Sequence, residues 1–266
     1  IRYIYNMIPG MGYVFTETSL KKRLVRIITK FMYKIALIYS NHTFFQNTED
    51  YDYFLKNDII NMKRVSVVPG TGVDIEKFKP VLKKSSEKVV FMFSGRLLWD
   101  KGVGEFVEAA RIIKQKYANT DFWVLGPIDL QNPKGIAPEQ LNKWNQEGVV
   151  KYLGVTDNIG DYLQKADVIV LPSFYREGIP LSLLEGAACG MPIITTDSCG
   201  CREVVKEGEN GFLVPIKDVD KLVKAMEEFI KNPKLIIEMG NESRRIAEEK
   251  FDSSKIVQMI LQKYPF

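Results

Sequence analysis

Two carboxylates lie eight residues apart in the segment EGIPLSLLEGAACGMP, at Glu177 and Glu185. Glu177 precedes a Gly-Ile-Pro turn, and Pro180 stands where a helix takes its first residue, so the pattern predicts a short buried helix over residues 181–189. This spacing puts one carboxylate in the loop before the helix and the other about one turn inside it.

The first turn of such a helix offers amide groups that have no partner within the helix. The amides of Leu181 and Ser182 would lie at the positive end of the helix dipole, where an anion binds readily. Acidic groups on both sides of an anion site suit a ligand with phosphates in its middle and hydroxyl-rich sugars at its ends, as in a nucleotide-sugar. For the carboxylate pair taken alone, a surface loop acid and an unrelated helix glutamate remain the alternative.

Alternation of strand and helix patterns indicates the elements that must position these residues. Beyond residue 88, largely apolar strand patterns such as Val89–Ser94 and Val168–Leu171 alternate with helical periods, which is typical of a mainly parallel sheet with helices on both faces. The polar segment 79–88 reads as a linker. An α/β chain of 266 residues is long enough for two compact units.

Composition excludes several classes of protein. A net charge of +4 does not indicate a nucleic-acid partner, and three cysteines with a single histidine complete no metal site. No apolar run approaches the ~20 residues that cross a bilayer. We therefore expect a cytoplasmic protein that needs neither a metal nor a cofactor. Because the chain begins at Ile1 in the middle of a strand pattern, we expect it to be a fragment of a longer protein.

Several further motifs match one family pattern in order. They are VVPGTGVDIEKFKP, FSGRLLWDKG, YLGVTDNI, LPSFYREGIPLSLLEGAACGMPIITTD, GCREVV and GENGFLVP. Over residues 65–250 the chain resembles the C-terminal half of a retaining glycosyltransferase of family 4, a GT-B enzyme with two Rossmann-like domains. More loosely, it resembles bacterial transferases that add N-acetylhexosamines to polyprenyl-diphosphate-linked glycans.

The resemblance implies a division of the chain into three parts. Residues 1–82 would be the C-terminal part of an incomplete, acceptor-side Rossmann-like domain, and residues 83–250 the Rossmann-like domain that binds the nucleotide-sugar donor. Residues 251–266 would form a C-terminal helix that returns toward the first domain. A fragment of this kind need not be active by itself.

The family pattern also implies roles for particular residues. Arg96 and Lys101 would bind the donor diphosphate and stabilise the charge of the leaving group, as fixed cations can in a site without a metal. Glu185 would accept hydrogen bonds from the ribose hydroxyls. Glu177 would face the donor sugar and support the positive charge of the transition state. Arg96, Lys101 and Glu177 are therefore the candidate catalytic residues.

Backbone contacts complete the expected donor site. Gly178, Ile179, Pro180 and Leu181 would line the sugar and phosphates, and Val155 would place its backbone at the edge of the base. A strand-end valine that only packs is an equal alternative for Val155. His42 reads as part of a buried strand and not as a catalytic base.

A basic helix is the second functional signal. Residues 19–40 contain six lysines and arginines and no acidic residue, with Arg23, Arg26, Lys30 and Lys34 in one stripe. Such a helix can lie on an anionic bilayer, at about 1 kcal/mol for each cation near the surface. The chain would then be peripheral on the cytoplasmic face of the inner membrane. A solvated basic face of an ordinary Rossmann-fold helix is the alternative.

The function expected from these observations is transfer of a sugar, an N-acetylhexosamine, from a UDP-sugar to a glycan or lipid-linked acceptor. The transfer would retain the anomeric configuration and need no metal. It would serve surface polysaccharide or glycan biosynthesis. Two alternatives remain open. A UDP-sugar 2-epimerase can share the architecture, and it would turn over a UDP-sugar without an acceptor. A non-catalytic nucleotide-sugar-binding subunit would bind UDP without any turnover. The sequence does not choose among donor sugars or between UDP and GDP.

Overall fold

The computed structural model describes residues 3–11, 15, 20–61, 64–81 and 88–264. These residues form two parallel β-sheets with helices against them, which confirms the predicted α/β fold class. The proposed boundary between the first two domains falls at residues 82–87, outside the described residues. The domain limits therefore stay a prediction.

The first sheet has three described strands in the order β1-β2-β3. Its strands are parallel, with Tyr5 opposite His42 and Thr43 opposite Val65. A small apolar core that includes Ile8, Phe45 and Phe54 lies against it. The elements are β1 (Tyr5–Ile8), α1 (Leu20–Ile38), β2 (His42–Phe45), α2 (Thr48–Lys56) and β3 (Val65–Val67).

The second sheet has six described strands in the order β6-β5-β4-β7-β8-β9, all parallel. Its strands are β4 (Val89–Ser94), β5 (Thr120–Leu125), β6 (Lys151–Tyr152), β7 (Val168–Leu171), β8 (Ile193–Thr196) and β9 (Gly211–Val214). The helices between and after them are α3 (Val103–Lys116), α4 (Pro138–Gln146), α5 (Gly160–Leu163), α6 (Leu181–Ala188), α7 (Val219–Lys231), α8 (Lys234–Lys250) and α9 (Ser253–Leu261).

The central strands β4 and β7 are covered on both faces. Phe91, Met92 and Phe93 are fully buried in β4, and every residue of β7 is buried. A parallel strand between two helical layers has no solvent face, so its sequence is continuously apolar. These two strands are consequently the parts of the fold that the sequence predicts to the residue.

The last described helix, α9, packs on the first sheet. The Val73 amide donates to the Phe251 carbonyl at 2.8 Å, and the Ser253 amide donates to the Val73 carbonyl at 3.0 Å. Ile256 of α9 then shares an apolar cluster with Phe44 and Val68. The chain thus crosses from the second sheet back to the first just after Phe251.

Helix α1 points its apolar face away from the protein. Ile27, Phe31 and Ile38 are each about three-fifths exposed (59%, 64% and 64%). The face that contacts the protein is mixed: Tyr33 and Leu37 pack on the small apolar core. On the same face Arg26 lies over the ring of Phe15, and the Lys30 ammonium donates to Asn57 at 2.7 Å. Two cations of the basic stripe therefore contact protein. No helix within the described ranges is both long and apolar enough to cross a bilayer.

Three local predictions differ from the structure. Pro180 is the residue before α6, with extended backbone (φ −64°, ψ 120°), and not its first helical residue. Helix α4 was not predicted because, of its nine residues, only Leu141 and Trp144 are buried. The sequence pattern predicts a strand over residues 149–153, but β6 has only two residues, since residues 149, 150 and 153 lie outside the ladder.

Candidate active site

Three of the sequence-predicted residues follow strands of the second sheet at the same edge. Arg96 comes after β4, Val155 after β6, and Glu177 after β7. Because the strands are parallel, their carboxyl ends share one edge, which is where open α/β sheets bind ligands. Lys101 ends a 3-10 turn over Trp99–Lys101 and is followed by Gly102, whose φ of 78° suits glycine.

Lys101 and Glu177 form an ion pair. The Lys101 ammonium lies 2.5 Å from Glu177 Oε2, and the two side chains are only 12% and 13% exposed. The Ser173 hydroxyl donates to the other carboxylate oxygen, Oε1, at 2.9 Å. Both oxygens of Glu177 thus have a partner, and its position is fixed in a largely desolvated setting.

The loop that carries Glu177 is held to the neighbouring strand by hydroxyl groups. The Ser173 carbonyl accepts hydrogen bonds from Thr196 Oγ1 and from Ser198 Oγ, the latter at 3.0 Å. The Phe174 amide donates to the Asp100 carbonyl at 2.9 Å, which joins this loop to the turn that carries Lys101. Hydrogen bonds to backbone carbonyls therefore position the loops that carry both members of the ion pair.

Arg96 lies outside this pair and is more exposed. Its guanidinium lies 3.5 Å from the Asp129 carboxylate, and the side chain is 49% exposed. A cavity of about 360 Å³ opens beside Asp129, between the loop of residues 129–134 and Tyr175. Arg96 can therefore turn toward a ligand at this edge of the sheet without breaking a buried contact.

Glu185 has a carboxyl group with a raised pKa. Burial raises the pKa of its carboxyl from 4.5 to about 7, while the nearby positive charge of Lys77 acts in the opposite direction. Near neutral pH the carboxyl therefore exists in both forms. Titratable groups with shifted pKa values are enriched at functional sites, although structural sites also contain them.

The loop Gly178–Leu181 leads into α6 as the sequence predicts. The Pro180 carbonyl accepts hydrogen bonds from the amides of Leu183 and Leu184, which starts the helix. Ile179 is buried, whereas Leu181 is 49% exposed. The amides of Leu181 and Ser182 have no acceptor among the described residues. They remain candidate anion donors.

The structure brings some predicted residues together and leaves others apart. Lys101 and Glu177 are in contact, and the loop after Glu177 adjoins them. Within the described ranges, no hydrogen bond or ion pair joins Arg96, Glu185 or Val155 to this pair. Val155 is 67% exposed, so its side chain packs against little, and a role at the base edge would fall to its backbone.

The Glu177 loop also meets the first sheet. A methyl group on Gly178 would lie 1.9 Å from the Pro9 carbonyl oxygen and 2.3 Å from Gln46 Oε1. Asp50, fully buried at the start of α2, pairs with Arg176 at 3.0 Å, and Arg202 pairs with Glu49. The two sheets are thus joined by close backbone contact at Gly178 and by the ion pairs of Arg176 and Arg202.

Sequence reasoning missed several of these site residues. Ser173, Asp129, Gln46 and Asp50 were not singled out, although Ser173 belongs to the quoted motif LPSFYREGIP. The spacing of Asn47 and Asp50 was a usable signal, because the Asn47 side chain accepts from the Asp50 amide at 2.8 Å as an N-cap. Nothing local indicates that Asp50 would meet Arg176, which lies 126 positions away.

Burial shifts the pKa values of the single histidine and of two cysteines. His42 opens β2, its Nε2 lies 2.9 Å from Ser66 Oγ, and burial lowers its pKa. Burial raises the pKa of the Cys199 thiol to about 12 and that of Cys201 to about 11. Across the described part of the chain, no group of three or more His, Cys, Asp or Glu side chains could hold a metal ion.

The sequence match to a family covers most of the second sheet. Residues 74–246, more than half of the chain, match the family described as Glycosyl transferases group 1. The chain belongs to this family. The match spans every predicted donor-site residue from Arg96 to Glu185 and confirms the resemblance drawn from the motifs.

Two bacterial relatives in this family cover nearly all of the chain. One is the N,N'-diacetylbacillosaminyl-diphospho-undecaprenol alpha-1,3-N-acetylgalactosaminyltransferase of Campylobacter jejuni, 29% identical over 99% of the chain and 70% of the relative. The other is the UDP-Gal:alpha-D-GlcNAc-diphosphoundecaprenol alpha-1,3-galactosyltransferase of Escherichia coli, 29% identical over 95% of the chain and 67% of the relative. The chain therefore spans about two-thirds of the length of these relatives.

Solved structures of glycosyltransferases share the fold. Sucrose-phosphate synthase from Thermosynechococcus elongatus superposes with a TM-score of 0.80 at 22% identity, covering 97% of this chain and 66% of that one. Anabaena Alr3699/HepE, solved in complex with UDP and glucose, gives 0.80 at 18% identity, covering 98% and 71%. This likeness confirms the GT-B type of fold.

Proposed function

We propose that the chain is part of a retaining glycosyltransferase that moves a sugar, an N-acetylhexosamine, from a UDP-sugar to a polyprenyl-diphosphate-linked glycan without a metal. The ion pair between Lys101 and Glu177 at the carboxyl edge of the second sheet carries the proposal. Family membership supports transfer of a sugar. The lipid-linked acceptors and UDP donors in the names and titles of similar proteins support the substrate classes.

The chemistry follows from the charges at the site. Breaking the bond between sugar and diphosphate leaves negative charge on the leaving group, and fixed cations stabilise it best where water is excluded. Lys101 is such a cation, and Arg96 is exposed enough to reach the same group. Glu177, paired with Lys101, would face the sugar as positive charge develops on its ring.

A second part of the proposal concerns the membrane. An acceptor on a polyprenyl lipid lies at a bilayer, and α1 offers an exposed apolar face with Arg23 and Lys34 beside it, both exposed. An amphipathic helix of this kind lies in the headgroup region with its apolar side buried in the acyl boundary. We therefore place the chain peripherally on an anionic membrane surface, with insertion of apolar residues adding to the charge attraction.

Transfer should be assayed with UDP-sugars and a polyprenyl-diphosphate-linked saccharide in the presence of a chelator, with the anomeric configuration of the product read by NMR. We expect product with retained configuration, abolished by Glu177→Ala and unaffected by Lys165→Ala, which removes an exposed lysine from the end of α5. Because the chain spans about two-thirds of its relatives, the same assay should be run on a full-length protein that contains it. Conversion of UDP-sugar without acceptor would point to an epimerase, and UDP binding with no turnover in the full-length protein to a binding subunit.

Membrane binding is measured by cosedimentation with vesicles that contain anionic lipid. Phe31→Glu places a charge on the exposed face of α1 and should weaken binding, whereas Ile237→Glu, at a residue 69% exposed on α8, should not. Failure of the unaltered chain to sediment with vesicles, or equal losses in both variants, would refute membrane docking through α1.

A further inference from the structure

Gln46 carries a buried hydrogen-bond donor that the described protein does not satisfy. It follows β2 directly and is 4% exposed. Its side-chain Nε2 has no hydrogen-bond partner among the described residues. An unpaired buried donor is destabilising, and most buried side-chain donors in proteins are paired. A bound ligand could therefore supply the partner that Nε2 lacks among the described residues.

The neighbouring polar groups at the same place are paired. Asn47 Nδ2 donates to Asp50 at 3.0 Å, its Oδ1 accepts from the Asp50 amide, and Asp50 in turn holds Arg176. Cys199 Sγ donates to the same Asn47 oxygen at 3.3 Å. The segment therefore forms an ordered polar network. The unpaired Nε2 is not part of a generally unsatisfied surface.

The amide end of Gln46 lies beside the loop of the candidate active site. Its Oε1 would be only 2.3 Å from a methyl group on Gly178, so the side chain contacts the residue next to Glu177. Gln46 follows the carboxyl end of a strand in the first sheet, and Glu177 follows one in the second. The amide end of Gln46 thus lies where the two sheets meet, next to the loop that carries Glu177.

We propose that Gln46 binds the transferred sugar, with Nε2 donating a hydrogen bond to a ring hydroxyl or to an amide carbonyl of the sugar. The inference rests on the proposed function, since it places the sugar at Glu177. A carboxamide donor has no charge to titrate and distinguishes sugars by the position of an acceptor oxygen. A site built to bond such an oxygen rejects an analogue that lacks it, because the buried group is then left unpaired.

The experiment compares UDP and UDP-sugar binding to Gln46→Met, which keeps length and apolar contact but has no donor. UDP contains no sugar to transfer, so its affinity should be unchanged. Affinity for the accepted UDP-sugar should fall about 3- to 10-fold, the loss expected for one hydrogen bond. Thermal melting provides a second readout: without ligand the variant should melt no lower than the unaltered chain, because an unsatisfied donor has been removed.

Thr43→Val is the matched control. Thr43 is also buried in β2, but its hydroxyl donates to Ser40 at 3.2 Å, so its loss should lower the melting temperature and leave the ratio of UDP-sugar to UDP affinity unchanged. Gln46→Leu serves if the methionine variant does not fold. An unchanged affinity ratio in a folded Gln46 variant would overturn the inference alone. If a full-length protein that contains this chain binds neither UDP nor any UDP-sugar, the proposed function is wrong and the inference falls with it.

Discussion

Protonation of Glu185 should control the affinity for the donor nucleotide. If its carboxylate accepts the ribose hydroxyls, only the ionised form binds well, and the raised pKa of about 7 places the change near neutrality. One pH unit below the pKa about a tenth of the carboxyl is ionised, and one unit above about nine-tenths, so affinity should change roughly 10-fold across this range. Affinity should rise with pH.

The matched variant is Glu185→Gln. The amide has nearly the same shape and keeps a carbonyl acceptor, but it does not titrate, so the pH dependence of the Glu185 site should disappear. The β-phosphate of UDP itself titrates near pH 6, as phosphate monoesters do, and measuring both proteins in parallel removes that contribution. Calorimetric titration of UDP across the range is the assay. Identical pH dependence in the two proteins would refute a ribose contact by ionised Glu185.

The same shift affects stability with a definite sign. The folded-state pKa of Glu185 is raised above its ordinary value of 4.5, so the folded protein binds this proton more tightly than the unfolded chain does. The associated stability is complete below about pH 4.5 and is lost as pH rises through about 7. Without UDP, Glu185→Gln should therefore flatten the fall of melting temperature between these values.

Three further predictions concern the site and its surroundings. Lys101→Ala removes the largely buried cation beside the Glu177 carboxylate. UDP affinity, measured by calorimetry, should then fall at least about 10-fold, since hydrogen bonds to charged groups contribute about 1.5–3 kcal/mol. Unchanged affinity would exclude a diphosphate contact. Gly178→Ala brings a methyl group within 1.9 Å of the Pro9 oxygen and should lower the melting temperature, whereas Gly160→Ala, with its nearest atom 3.6 Å away, should not. Cys201 is fully buried with a pKa of about 11, so thiol reagents should label it only on unfolding, and fast labelling of the folded protein would contradict its placement.

Much of the second sheet could be predicted from the sequence because its strands have no solvent face. A run such as Val168–Leu171 is apolar throughout, and neither a surface strand nor a turn would keep it so. The predictions weakened where burial is partial. Helix α4 buries only two residues, so it leaves no periodic pattern to recognise. Strand β6 lies at the edge of the sheet, and the sequence predicts it three residues too long.

The residues of the candidate site also fall into two groups, those that the sequence indicates and those that it does not. Arg96, Lys101 and Glu185 stand in local motifs of the quoted pattern, and their residue types already suggest phosphate and hydroxyl binding. Gln46 and Asp50 contribute only through contacts across more than a hundred residues, which no local spacing encodes. For α1, periodicity establishes that one face is apolar but not which way that face points. The structure turns it outward.

The position of Glu177 relative to the first sheet depends on backbone contact more than on charge. A methyl group on Gly178 would overlap the Pro9 carbonyl, and one on Gly200 would lie 1.5 Å from the Gly178 carbonyl, so three loops stack with no room for side chains between them. Backbone packed at this distance has few alternative arrangements, whereas an ion pair tolerates several. The ion pair between Arg202 and Glu49 is partly exposed and contributes little free energy. It can therefore favour one placement of the two sheets but cannot fix that placement tightly. The role proposed for Glu177 requires a carboxylate held within fractions of an ångström, and the close packing at the glycines supplies that precision.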